Sequence, residues 1–190
     1  MNNPFSDQAV GFDLVTLPEN AAVLLVDAKA PARLVAHLRL VHDVALRLLD
    51  AMLLVWPTLW VDREAILFGA ATHDIGKALH PDELYQPGTK HEIDGRHLLV
   101  NHGVEGRLAR FAETHSTWNR DNNCTLEDLL VALADKCWKG VRSEKLEDMV
   151  CQRILAQVQA ERWEVFAALD AAINDLAADG DRRLAWQSQY

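Results

Sequence analysis

The sequence predicts an all-α fold, a single-domain helical bundle. Apolar residues recur at helical spacing over most of the chain, β-branched alternation is rare, and no strand-turn-strand signal is present. At 190 residues, with 49% apolar and 25% charged residues, the chain has the make-up of one globular domain. That composition excludes intrinsic disorder and low-complexity architecture. No internal repeat or domain linker interrupts it. Residues 1–190 therefore read as one domain, with the chemistry concentrated in 31–140 and a helical extension over 141–190.

The elements follow in order. A short helix is expected near Ala21 to Ala28. Pro31 sits where a helix start tolerates proline, and an amphipathic helix runs from there to about Val55, ended by Pro57. Asp62, a good N-cap, begins a second helix that runs into Gly76. Residues 78–92 contain Pro81, Pro87 and Gly88 and read as a loop. Short helices are expected around Gly95 to Asn101 and Glu105 to Glu113, with a polar loop from Ser116 to Cys124. Thr125 and Asp128 resemble a capping box with Asp in place of Glu, opening a helix that stops at Gly140. Ser143 caps one last long helix to about Ala178, with Gly180 beyond it.

The net charge of -9 argues against a long contact with nucleic-acid phosphates and against docking on an anionic membrane. It leaves room for a small phosphorylated substrate, because a bound metal ion reverses the local sign. Cys124, Cys137 and Cys151 are too few and too irregularly spaced for a disulfide framework. The first basic residue is Lys29, so a charged signal-peptide start is missing. Apolar runs such as Ala21 to Val26 and Ala51 to Trp56 fall far short of the roughly 20 residues of a membrane helix. A reducing cytoplasm is the simplest location, and nothing in the composition requires self-association.

Eight histidines and seventeen aspartates give a His-Asp dipeptide nearly once by chance, so its two occurrences mean little by themselves. Placement decides. On the first long helix Leu34, Leu38, Val41, Val44, Ala45, Leu48 and Met52 form an apolar stripe, with Arg33, Arg39, Asp43, Arg47 and Asp50 opposite. His37 falls inside the stripe, where it is either a core histidine bonded to backbone or a ligand. His42-Asp43 lies at the border and reads as a surface pair. His73-Asp74 ends the small, apolar stretch Ile66 to Ala71, where no helical neighbour can satisfy a carboxylate. A buried charge there must be paired or must coordinate a metal, unless Asp74 serves a nearby loop. Asp135 repeats the anomaly after the apolar run Leu129 to Ala134, close to a helix C-terminus that disfavours negative charge. A solvated pair with Lys136 or Lys139 is its simpler alternative. His91 and His115 read as readily as surface or capping residues as they do as ligands. His80, His97 and His102 have no distinguishing feature. Trp56, Trp60, Trp138, Trp163 and Trp186 read as packing.

Taken together, His37, His73-Asp74, His91, His115 and Asp135 are separated by gaps of 36, 17, 24 and 20 residues, a site that only the fold can assemble. Imidazole and carboxylate donors suit Mn, Fe, Co, Ni, Zn or Mg, and the lack of a cysteine ligand speaks against structural zinc.

The segments A-H-L-R-L-V-H-D-V-A around His37, F-G-A-A-T-H-D-I-G-K from Phe68, K-H-E-I-D-G-R-H-L-L from Lys90 and A-L-A-D-K from Ala132 resemble the HD-domain superfamily of metal-dependent phosphohydrolases. The resemblance covers roughly residues 31–140. It implies an all-helical fold with a divalent metal on His37, His73, Asp74 and Asp135. It also places His91 and His115 where a second metal would be held, with Asp74 bridging. Departures narrow the family. His91-Glu92-Ile93-Asp94-Gly95 lacks the doubled histidine and G-Y-P of the cyclic-di-GMP phosphodiesterases. Lys77 stands where deoxynucleotidases tend to carry Glu, and the second catalytic domain of the stringent-response enzymes is not present. The expectation is a stand-alone phosphohydrolase acting on a small, nucleotide-like substrate through metal-activated water. Asp74 and Lys77 are the expected catalytic residues, and Lys77, Lys136, Arg96 and Arg142 the expected substrate contacts. The alternatives are a non-haem di-iron oxygenase on the same framework and a non-catalytic ligand-binding sensor.

Overall fold

A computed structural model describes residues 13–120 and 123–190. Among these residues the regular structure is helical throughout: α1 (Glu19–Asp27), α2 (Ala32–Val55), α3 (Arg63–Thr72), α4 (Lys90–Asn101), α5 (Gly106–Ala109), α6 (Phe111–Thr117), α7 (Leu126–Cys137), α8 (Glu144–Leu155), α9 (Arg162–Ala177) and α10 (Gly180–Gln187). Two 3₁₀ turns, Ile75–Ala78 and Pro81–Leu84, lie between α3 and α4. No helix among the described residues is long and apolar enough to cross a membrane.

The caps fall where the sequence places two of them. Asp62 accepts from Ala65 N at 2.9 Å. Thr125 and Asp128 form the reciprocal capping box, with Thr125 N donating to Asp128 Oδ2 at 2.9 Å. The polar segment expected as loop from Ser116 starts instead within the last turn of α6, and its residues 121 and 122 lie outside the described residues. The four-residue turn Pro81–Leu84 and an earlier start of α4, at Lys90, replace the single loop expected over 78–92.

The expected long final helix is in fact two, α8 and α9, and a further helix, α10, follows from Gly180. The break before α9 carries a capping box built by glutamates, with Glu161 N donating to Glu164 Oε2 at 2.8 Å. Glutamate is a poor N-cap by composition, so this boundary is invisible to a search for Ser, Thr, Asp or Asn.

Helix α2 is the central element, packed against α3, α7, α9 and α10. Residues Leu34 to Ala45 are buried all round. The expectation of a solvated face with a surface His42-Asp43 pair is therefore wrong, since Arg39, His42 and Asp43 are each only 2% exposed. Neighbours on every side, rather than one apolar stripe, decide burial here. Asp43 is compensated by Arg47, whose Nε donates to Oδ2 at 2.7 Å. Burial pushes the His42 imidazole down to about 4, against the pull of Asp43, so the fold keeps it neutral. Trp56, Trp138 and Trp186 are buried as packing residues, whereas Trp60 and Trp163 are exposed.

Two apolar clusters meet across the molecule. The larger is built on α2, α3, α7, α8 and α9. The smaller joins α1 and the start of α2 to Phe68, Ile75 and Leu99. The small residues ending α3 admit close neighbours. Phe111 rests on Gly69, and a Cβ at Gly76 would lie 2.0 Å from the His91 carbonyl oxygen. The turn 75–78 thus docks on α4 only because Gly76 has no side chain.

Two outcomes follow. Gly76→Ala must push α4 off the turn and is expected to cost about 3 kcal/mol, read as a lowered Tm. The unfolded chain protonates His42 near pH 6.5, the folded chain only near 4. Stability from this group is therefore complete above pH 6.5 and lost as the pH falls toward 4. Between pH 7 and 5 the loss is about 2 kcal/mol. In chemical denaturation at these two pH values, His42→Leu should remove that part of the difference.

Candidate metal centre

Six side chains separated in sequence converge at the seam between the two apolar clusters. His37 comes from the middle of α2, His73 and Asp74 from the end of α3, His91 from the first turn of α4, His115 from α6 and Asp135 from the last turn of α7. All but Asp135 are buried, and the Asp135 side chain is 13% exposed. They form two groups: His37, His73 and Asp135, and Asp74, His91 and His115. In each, one ligand atom per residue lies within 4.8 Å of the others.

Asp74 joins the groups. Its Oδ2 lies 3.1 Å from His37 Nε2 and 3.6 Å from His73 Nε2. Its Oδ1 lies 3.2 Å from His91 Nε2 and 3.4 Å from His115 Nε2. Asp135 Oδ1 closes the first group, 3.6 Å from His37 Nε2 and 3.7 Å from His73 Nε2. Its other oxygen faces Lys136 Nζ at 3.5 Å, so the lysine pairing considered as an alternative coexists with the cluster.

The imidazoles are aimed by their outer nitrogens. His73 Nδ1 donates to Ala70 O at 3.1 Å, and His115 Nδ1 to Phe111 O at 3.1 Å. His91 Nδ1 donates to Glu83 Oε2 at 2.6 Å. With the proton fixed on Nδ1, each Nε2 presents a lone pair inward. Those lone pairs face carboxylate oxygens, and His37 Nε2 faces His73 Nε2 at 3.3 Å. Asp74 Oδ1 is buried with no hydrogen-bond partner.

Acceptors crowded against acceptors require positive charge among them, as extra protons or as a cation. Donors 3.1–3.7 Å apart share a common neighbour at about 2.1 Å, the length of a divalent-cation bond to nitrogen or oxygen. The residues therefore fit a bound divalent metal.

The electrostatics agree. Burial opposes ionisation of Asp74, but His73, His115, His37 and His91 hold its carboxyl well below the usual range. Asp135 is likewise held down against burial, mainly by His73 and His37. Burial lowers and the carboxylates of Asp74 and Glu83 raise the His91 imidazole, with a net upward result.

A cavity of about 350 Å³ opens on the centre. Arg33, Lys77, Lys136 and Lys139 line it beside Trp138, whose ring stands edge-on to His37 with centroids 5.0 Å apart. Lys77 Nζ contacts Asp74 Oδ2 at 2.6 Å. Two expected substrate contacts are elsewhere. Arg96 pairs with Glu113 at 2.6 Å on the surface, and Arg142 is held by Glu147 and Asp170 at the junction of α8 and α9. Neither lines the cavity.

Residues of the site or its cavity that the sequence did not point to as such include Arg33, Glu83, Lys139 and Gln187. Glu83 lies eight residues before His91 across a turn, a pairing with no sequence signature. His80 pairs with Asp94, and His102 bonds back to Leu98 O, so neither belongs to the centre.

Comparison with curated proteins and with solved structures gives no match. The family model described as HD domain matches residues 34–138, a span that carries five of the six converging residues on α2 through α6 and the sixth on α7. That match covers more than half of the chain and coincides with the buried His/Asp centre, and the protein belongs to the HD-domain family.

Proposed function

We propose that the protein is a metal-dependent phosphohydrolase acting on a small phosphorylated, nucleotide-like substrate. The observation that carries this reading is the shared carboxylate of Asp74 between two inward-facing imidazole groups, beneath a cavity lined by four cations. His37, His73, Asp74 and Asp135 would hold one ion, and His91 and His115, with Asp74 bridging, a second. Four imidazoles to two carboxylates favour Mn, Fe, Co, Ni or Zn over the all-oxygen preference of Mg. A divalent cation bound there lowers the pKa of a coordinated water toward neutrality and polarises a phosphoryl oxygen.

The chain's own residues do the rest. Asp74 and Asp135 stay ionised and fix the charge of the centre. Lys77 rests on Asp74 and lines the cavity, where its ammonium would pair with a phosphate oxygen. Lys136, Lys139 and Arg33 neutralise and orient the anion, which is most of what phosphoryl transfer asks of a protein. The helices of 141–190 belong to the same unit in this reading, since Leu184 and Gln187 line the cavity.

The test is a screen of phosphorylated metabolites with Mn, Co, Ni and Mg, in which phosphate release is expected. Binding without turnover would instead identify a sensor, and aerobic loss of substrate without phosphate release an oxygenase. Asp74→Ala should lose both metal and activity, and stoichiometric metal retained in that variant, by elemental analysis, would falsify its bridging role. Glu83→Ala frees the outer nitrogen of His91 and should weaken metal affinity by about 10–100-fold in a metal titration.

A further inference from the structure

The C-terminal helix α10 lies outside the segment matched by the family, yet its Leu184 and Gln187 line the cavity. It is fixed in place along one stripe. Gly180 packs so tightly on the turn after α7 that an added Cβ would lie 2.7 Å from Gly140 N. Arg183 is buried and donates to Leu176 O. Trp186 is 3% exposed and stacks edge-on with Tyr190 at 5.1 Å. Gln187 continues this stripe one turn after Arg183 and is 7% exposed. Its side-chain amide makes no hydrogen bond with any described residue. It lies on the cavity wall open to solvent, so a ligand that displaces water there must replace the hydrogen bonds that water makes to its donor and acceptor. Trp138 and Leu184 flank it with apolar surface on the same cavity.

Resting on the phosphohydrolase reading, we propose that Gln187 is a specificity-determining residue. It reads the organic part of a phosphate ester or anhydride whose planar group presents a hydrogen-bond donor and acceptor side by side, as the edge of a nucleobase does. A site built to bond such an edge discriminates strongly against esters that lack it, because its own polar group is then left unpaired. The amide is held by a rigid helix, so recognition needs no rearrangement of the metal centre.

Calorimetric binding to the Mn-loaded full chain tests this, with guanosine and adenosine monophosphates, ribose 5-phosphate and inorganic phosphate as probes and phosphate release followed in the same samples. At least one nucleotide should bind about tenfold or more tighter than ribose 5-phosphate. Gln187→Leu and Gln187→Met, which fill the same space without hydrogen bonds, should each shrink that ratio about tenfold. Agreement between the two variants separates lost hydrogen bonding from altered shape. A ratio unchanged in both variants overturns the proposal, as does a wild-type protein that binds ribose 5-phosphate as tightly as both nucleotides. If no probe binds, inorganic phosphate included, the phosphohydrolase reading itself fails and takes this role with it, a result distinct from loss of the ratio alone.

Discussion

The structure is organised around one electrostatic demand: the carboxylate of Asp74 is buried among imidazole nitrogens that offer it lone pairs as readily as protons. Such an arrangement is unfavourable unless positive charge enters it. Neighbouring features meet that demand or prepare for it. Helix α3 ends just before Asp74, freeing the carboxylate from the apolar stretch that precedes it. Backbone carbonyls of Ala70 and Phe111, and the carboxylate of Glu83, fix the outer nitrogens so that the inner ones converge. Lys77 supplies one cation, at the distance of a close ion pair.

The same demand explains which site residues were legible in the sequence. His37, Asp74 and Asp135 each break a run of apolar residues, and a polar group in such company announces itself without any knowledge of its partners. His91 and His115 sit at helix edges near polar segments, where histidine is ordinary, and only the family resemblance singled them out. Glu83 gave no signal, because its partner is fixed by a turn rather than by helical periodicity. Arg96 and Arg142 looked equivalent to Lys77 as cations. Only folding shows that Glu113 and Glu147 reach them first.

The fold was legible to a similar depth. Helix starts marked by Asp62 and Thr125 follow from caps with a stated mechanism. The burial of Arg39, His42 and Asp43 did not follow, because the periodicity of one helix reports its own preferred face and not how many helices surround it. The split of the last helix was hidden for a related reason: residues 156–161 contain no proline or glycine, and the cap at the break is a glutamate.

The last turn of α7 shows how a short stretch of sequence serves several ends at once. Asp135, Lys136, Trp138 and Lys139 all line the cavity, while Cys137 between them is buried in the larger apolar cluster. Residues on a continuing helix would be spread around its axis, and a helix end relaxes that spacing. The position also carries a cost, since the negative end of the helix dipole repels Asp135. The two lysines offset it locally, and the imidazoles of His37 and His73 offset it from the other side. A chain with net charge -9 thereby gathers four of its 19 lysines and arginines around one cavity, beside the carboxylates of Asp74, Glu92 and Asp135.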